Sequence, residues 1–413
     1  MSEQTKSHEL YRRAKQIILG GTQTISKQPE CYDAELFPAY IESGSGSHLW
    51  DLDGNEYVDF IAALGPIILG YCHPAVDSAI KSQLAKGILF SGNSPLEVDL
   101  AEKLIQIVPN AEKVRFFKSG AEATSAAVRL ARNFTRRDKV ISCGYHGWHD
   151  WYVAQNREDG IPRVYSDYVI SLPYGNIEVA RSVLAEDGPE IACVILEPIV
   201  MGADGEFLEE LGYLARKAGA LLIFDEIITG FRVALGGAQE FFGIEADLAV
   251  FGKAMANGMP ISAVTGRDDI FEAAKDLWIS TTYGGETLSL AAALATITSL
   301  EKDNHYLRTK ALGGKLKHGW QKLLSDFPEV VVEAIGIEYM PLLLFASTAK
   351  DQQDVFVREM LINGYLTRRN HYWFISGAHS EADIDGALLA SRNAFSKIQN
   401  MNSVSERKVV TVS

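Results

Sequence analysis

Leu248-Ala249-Val250-Phe251-Gly252-Lys253-Ala254-Met255-Ala256-Asn257-Gly258 is an apolar run that ends in a lysine and breaks into a turn of small residues. Apolar residues in succession, without polar alternation, mark a short strand covered on both faces. The lysine therefore stands at the end of a buried strand. Upstream, Ala220-Leu221-Leu222-Ile223-Phe224 is a second such run that closes on Asp225-Glu226, so an amine and a carboxylate are presented in the same way. Outward from this pair, Val114-Arg115-Phe116-Phe117, Val140-Ile141-Ser142, Ile191 to Leu196 and Ile261 to Val264 alternate with helical patterns across residues 75–300. Such alternation, with connections long enough for crossovers, predicts an α/β fold with a mostly parallel central sheet and helices on both faces. Ligands on sheets of this kind gather at the carboxyl ends of the strands, where Asp225 and Lys253 fall.

The 413 residues exceed one compact domain, and the pattern changes along the chain. Residues 1–74 open with helical spacing at Leu10, Ala14, Ile17 and Ile18, stopped by Gly20-Gly21. They continue as short strands at Ala39-Tyr40-Ile41, His48-Leu49-Trp50 and Tyr57-Val58-Asp59-Phe60, the last two joined by an Asp53-Gly54 turn. This N-terminal segment is expected to pack with a small C-terminal domain. Residues 75–300 read as the large domain. Residues 301–413 carry a long helical pattern and apolar stretches at Met340 to Phe345 and Tyr372 to Ile375, which predict the smaller α/β domain; its polar tail, from Asn402, is expected to fray.

A net charge of −14 argues against nucleic acid or an anionic membrane as the main partner, since both require a basic face. Small metabolites are the expected partners. Cys31, Cys72, Cys143 and Cys193 are scattered, with no spacing that suits a disulfide framework or a metal. The start, Met1-Ser2-Glu3-Gln4-Thr5-Lys6, lacks a basic stretch followed by an apolar core, and no apolar run reaches membrane-spanning length. A cytoplasmic location is expected.

An amine that can form a Schiff base and an acid that can hold a ring nitrogen protonated are what pyridoxal 5'-phosphate chemistry requires, so Lys253 and Asp225 are the candidate catalytic residues. Asp225 would otherwise cap a helix or pair with Arg232, and Lys253 would be a surface lysine. The small residues around Lys253 favour the first reading, because they let a bulky group approach the backbone. Phe117-Lys118-Ser119-Gly120-Ala121-Glu122-Ala123 joins a strand to a helix whose apolar face runs through Ala123, Ala126, Ala127, Leu130 and Ala131. Free amides at Gly120 and Ala121, with the Ser119 hydroxyl, suit a phosphate, although an ordinary capped helix start has the same appearance. Tyr145-His146-Gly147-Trp148-His149-Asp150 follows the next strand, and Tyr145 is the candidate to stack on a flat heterocycle. Clustered His146, His149 and Asp150 would alternatively suggest a metal, but metal pairs usually need a third ligand, and satisfied polar or surface histidines are the commoner outcome. Ser280-Thr281-Thr282-Tyr283-Gly284-Gly285-Glu286 is a hydroxyl-rich turn before a helix, and Asp51-Leu52-Asp53-Gly54 reads as a hairpin rather than a calcium loop.

Taken in order, Ser119-Gly120-Ala121-Glu122-Ala123, Tyr145-His146-Gly147, Glu197-Pro198, Asp225 to Arg232, Gly252-Lys253 and Thr282-Tyr283-Gly284-Gly285 resemble the class III pyridoxal phosphate-dependent aminotransferase family. The stretch Thr229-Gly230-Phe231-Arg232-Val233-Ala234-Leu235-Gly236-Gly237-Ala238-Gln239 is most similar to the glutamate-1-semialdehyde 2,1-aminomutase branch. The resemblance implies a fold type I homodimer with shared active sites. In it Lys253 carries the cofactor, Asp225 binds the pyridine nitrogen, Tyr145 stacks on the ring, and Ser119, Gly120 and Ala121 hold the phosphate with Thr282 reaching in from the other subunit. Lys27 falls where the aminomutases place an arginine that clamps a substrate carboxylate, and lysine lacks the bidentate fork for that task. Trp148-His149-Asp150-Trp151-Tyr152-Val153-Ala154-Gln155 replaces the Gly- and Ser-rich gating loop of that branch.

These departures favour an aminotransferase that takes an amino group from a donor, L-glutamate, to a small keto or aldehyde acceptor such as a sugar. Lys27, Trp148 and Glu197 are the candidate substrate contacts, and Trp151, Tyr152 and Gln155 are expected to complete a polar, aromatic pocket. The alternatives are an intramolecular aminomutase, a racemase or decarboxylase on the same fold, and a non-catalytic protein that binds the cofactor.

Overall fold

The computed structural model describes residues 5–155, 160–302 and 304–410. The chain divides into two units, Pro74–Tyr306 and a second made of Met1–His73 with Leu307–Ser413. In the second unit, Thr5 accepts the His8 amide and starts helix α1 (Lys6–Ile17), which stops three residues before Gly20. Strands β1 (Ile41–Ser45), β2 (His48–Asp51) and β3 (Glu56–Asp59) follow as an antiparallel meander. Asp51 closes the β2–β3 turn by accepting the amides of Asp53 and Asn55.

The Pro74–Tyr306 unit opens with α2 (Pro74–Leu84) and α3 (Pro95–Ile107), the latter started by a Ser94–Glu97 capping box. Its sheet is built from β4 (Lys113–Phe117), β5 (Lys139–Cys143), β6 (Val169–Ser171), β7 (Ile191–Leu196), β8 (Leu221–Asp225), β9 (Leu248–Phe251) and β10 (Ser262–Gly266). The intervening helices are α4 (Gly120–Thr135), α5 (Asp150–Val153), α6 (Ile177–Glu186), α7 (Gly205–Lys217) and α8 (Gly237–Phe242), followed by α9 (Asp268–Glu272) and α10 (Thr287–Lys302). The strand order is β4-β10-β9-β8-β7-β5-β6. All neighbours run parallel except β10, which is antiparallel to both β4 and β9. The connection from β9 to β10, residues 252–261, is too short for a parallel crossover, which needs a dozen residues or more.

Every residue of β7, β8 and β9 is buried, as their uninterrupted apolar sequences require. Helix α4 turns Ala123, Ala127 and Ala131 toward Val140, Ile195, Ile223 and Val250, and its small side chains let the helix lie close to the sheet. Register aligns the strand ends: Cys143 pairs with Leu196, Leu196 with Phe224, and Asp225 with Val250. The segments after β5, β7, β8 and β9 therefore leave from one edge of the sheet.

The remaining elements are α11 (His305–Asp326), β11 (Val332–Ile337), β12 (Met340–Phe345), α12 (Lys350–Ile362), β13 (Tyr365–Leu366) and α13 (Glu381–Val410). Strand β13 joins the meander in parallel with β3, and β11 pairs with β12 as a separate hairpin. Phe60, Trp320, Phe356, Trp373 and Phe395 share one core, which draws on both ends of the chain. Tyr372 to Ile375 is assigned to no strand, although its amides alternate: those of Trp373 and Ile375 go to the Pro341 and Tyr339 carbonyls, and that of Phe374 goes to Phe60. The backbone of α13 stays helical past Asn402, where composition suggests fraying. Among the described residues no helix is long and apolar enough to cross a membrane.

Candidate active site

The turn from β4 into α4 is fixed by a capping box. Ser119 Oγ accepts the Glu122 amide, and Glu122 Oε2 accepts the Ser119 amide at 2.8 Å and the Lys118 amide at 3.1 Å. Ser262 on β10 donates its hydroxyl to the Ser119 carbonyl at 2.7 Å, which ties the turn to the sheet. A helix start leaves its first amides without intrahelical partners. With the Glu122 amide taken by Ser119, those of Gly120 and Ala121 remain for an anion, aided by the helix dipole.

After β5 the chain folds sharply over α4. Gly147 has φ 103°, and a β-carbon there would lie 2.7 Å from Ala121 Cβ, so only glycine permits this approach. Thr124 Oγ1 donates to the His146 carbonyl at 2.8 Å, and the Tyr145 amide donates to Glu197 Oε2 at 2.8 Å. These contacts leave the Tyr145 ring 62% exposed while His146 is buried.

Asp225, the last residue of β8, is 2% exposed. Its Oδ2 lies 2.7 Å from His146 Nδ1, and its Oδ1 accepts the Ile227 amide at 3.1 Å. His146 Nε2 is buried with no hydrogen-bond partner among the described residues. The partner of Asp225 is thus His146 and not Arg232, whose Nε donates to the Ile228 carbonyl. Glu226, next along, accepts the Ala238 and Gln239 amides and the Thr229 hydroxyl; burial pushes its pKa up to about 7.

Lys253 follows Gly252 at the end of β9 with φ 35°, an uncommon value for a residue with a side chain, which marks local strain. Desolvation pushes its pKa below the usual lysine range, with Arg232 acting in the same direction and Glu197 and Asp225 opposing it. Glu197, just past β7, is pushed above the usual carboxylate range by desolvation and then by Asp225, against His146, the Tyr145 amide and Lys253. Lys253, Asp225, Glu197 and His146 therefore form one electrostatic cluster.

The structure brings Ser119, Gly120, Ala121, Tyr145, Glu197, Asp225 and Lys253 to this sheet edge. Thr282 lines a cleft of about 590 Å³ with Leu89, Phe90, Glu97 and Val114, and none of those seven residues lines it. Lys27 is exposed in the other unit, beside a pocket of about 310 Å³ bordered by Tyr32, Phe37, Tyr40 and Tyr71. Trp148 is 73% exposed. Trp151 and Tyr152, expected to line a pocket, are buried with their rings against His146, and Gln155 donates to Ser142 Oγ at 3.4 Å. Sequence reasoning missed the pairing of His146 with Asp225; the adjacency of His146 to the stacking candidate Tyr145 was the only signal available.

A mostly parallel sheet that presents a desolvated amine and a buried, imidazole-supported carboxylate at adjacent strand ends defines a fold type I pyridoxal phosphate-dependent transferase. Residues 32–369 match the model of the family "Aminotransferase class-III", and the chain belongs to that family. It is 34% identical to a glutamate-1-semialdehyde 2,1-aminomutase of Sulfurihydrogenibium azorense, over 94% of this chain and 98% of that protein. It is 33% identical to a 3-aminobutyryl-CoA aminotransferase of Cloacimonas acidaminovorans, over 96% and 98% respectively. Among solved structures, the internal aldimine form of the Sphingopyxis sp. FumI protein superposes with a TM-score of 0.89 at 28% identity, covering 97% of this chain and 98% of that one. The protein is an enzyme, and its cofactor is pyridoxal 5'-phosphate. The residues present fit that group: unpaired amides at a helix start suit the phosphate, and a buried carboxylate suits the ring nitrogen.

Proposed function

We propose that this enzyme transfers an amino group from L-glutamate to a small keto or aldehyde acceptor, with Lys253 as the residue that exchanges with the substrate amine. The observation that carries this reading is the placement of Lys253 and the His146-supported Asp225 at the ends of β9 and β8, which are hydrogen-bonded neighbours. When bound, the cofactor supplies an aldehyde for amine capture and a ring that withdraws electrons from the substrate carbon. Asp225 offers its carboxylate to the ring nitrogen, and His146 fixes the direction in which it points. Gly120, Ala121 and Ser119 take the phosphate, while the exposed Tyr145 ring stacks on the heterocycle. Desolvation leaves more of the Lys253 amine unprotonated and nucleophilic near neutral pH. Once displaced by the donor amine, Lys253 removes the proton from the donor α-carbon and later returns one to the acceptor carbonyl carbon.

Trp148 and Glu197 would give the acceptor site an aromatic wall and an acidic group, which suits a hydroxyl-rich carbonyl compound such as a keto or aldehydo sugar. The active form would be a cytoplasmic homodimer in which Thr282 of the partner subunit completes the phosphate site. In support, Thr282 borders a cleft whose rim exposes Leu89 and Phe90. The relatives named as aminomutases favour a second reading, exchange of the amino group within one substrate.

An absorbance titration with L-glutamate tests the proposal. The expected result is loss of the visible band, a rise in the near ultraviolet, and one equivalent of 2-oxoglutarate per site; K253A, folded as the wild type, gives no turnover. A visible band that glutamate leaves unchanged overturns the donor assignment and directs attention to the aminomutase. Wild-type turnover by K253A overturns the role of Lys253.

A further inference from the structure

Helix α4 carries a hydroxyl that the chemistry above does not use. Ser125 lies in the second turn of α4, partly buried. Its Oγ is 2.8 Å from the Ala121 carbonyl oxygen, 2.7 Å from His149 Nδ1 and 2.9 Å from Trp151 Nε1. A serine hydroxyl has one proton to donate and two lone pairs. The carbonyl only accepts and the indole N–H only donates, so Ser125 donates to Ala121 and accepts from Trp151. One lone pair remains for His149, and all three bonds coexist only when His149 Nδ1 carries a proton. Ser125 is then saturated, and it fastens two residues of the segment after β5 to the start of α4.

Trp151 leads back to the reaction centre. The Trp151 ring lies 6.3 Å from the His146 ring at an interplanar angle of 11°, and Tyr152 meets His146 edge-on at 5.4 Å. His146 in turn contacts Asp225 at 2.7 Å. We propose that Ser125 is a positioning residue: by holding the Trp151 indole parallel to His146, it keeps the His146–Asp225 pair aimed at the cofactor ring nitrogen. This rests on the pyridoxal phosphate reading of the site. Ala at position 125 would leave the buried indole N–H and His149 Nδ1 without their acceptor, whereas Thr would retain the hydroxyl.

The test compares wild type, S125A, S125T and W151F by pyridoxal phosphate dissociation constant, visible circular dichroism of the bound cofactor, and Tm. The expected result for S125A is a roughly tenfold weaker dissociation constant and an altered dichroic band, the scale set by one buried donor left unpaired. W151F, which removes the donor instead, should shift both readouts in the same direction, and S125T should restore them. The double variant S125A/W151F should lose no more than S125A alone, since the Ser125–Trp151 bond is already broken there. S125A and W151F with wild-type affinity and dichroism would overturn the proposal, as would a lowered Tm with an unaltered cofactor signal. A wild-type protein that fails to bind the cofactor would instead overturn the reading beneath it.

Discussion

At Lys253 the decisive quantity is the balance between desolvation, which drives the proton off the amine, and the carboxylates of Glu197 and Asp225, which hold it on. Desolvation is the largest influence, so apoenzyme should capture pyridoxal phosphate with a pH midpoint below the value of about 10.4 of an unperturbed lysine. Glu197 opposes desolvation, and removing its charge should therefore lower the midpoint further. In E197Q we expect the midpoint to move down relative to wild type. Stopped-flow appearance of the visible band across pH measures it; an unmoved or raised midpoint would show that Glu197 does not act on Lys253 through its charge. The placement of Asp225 at the end of β8 and of Lys253 just past β9 was legible in the sequence because each follows an uninterrupted apolar run. The support of Asp225 by His146 was not legible, since the two residues are 79 positions apart and only strand order brings β5 and β8 to opposite sides of β7.

At the level of elements, the contact between α4 and the segment after β5 sets the site. Two independent constraints meet at Gly147, a φ of 103° and a virtual β-carbon 2.7 Å from Ala121 Cβ. Gly54 shares the positive φ, at 85°, but has nothing within 4 Å of its virtual β-carbon. G54A thus incurs backbone strain alone, on the order of 1 kcal/mol. G147A adds a displacement of Ala121, whose amide is one of the phosphate donors. We expect G147A to lower Tm more than G54A and to weaken cofactor binding, while G54A leaves the dissociation constant unchanged; equal effects would mean that α4 yields freely. The apolar runs that became β7 and β9 matched their sequence expectation residue for residue because both faces of each are covered. The direction of β10 follows from loop length rather than composition, and the two-residue β13 exists only because β3 offers it a partner. Neither leaves a periodic signal.

On the scale of the whole molecule, a net charge of −14 makes two copies repel, so any dimer must be held by apolar burial. The cleft beside Thr282 offers such a surface: Leu89, Phe90, Val98 and Ile105 are each 40% or more exposed around it. Exposed apolar residues gathered in this way call for a cover. Salt screens the repulsion without weakening the burial, and the proposed homodimer should therefore persist or tighten as ionic strength rises. Sedimentation in low and high salt measures this. Sharing of the site is tested separately by mixing K253A with T282A under conditions that allow subunits to exchange. K253A alone is inactive, and T282A alone should need more cofactor for half-maximal activity. In the mixed dimer, one site would combine Lys253 of one subunit with Thr282 of the other and should show the wild-type cofactor requirement. If Thr282 instead served the site of its own chain, every site containing Lys253 would also carry the Thr282→Ala change, and mixing would restore nothing.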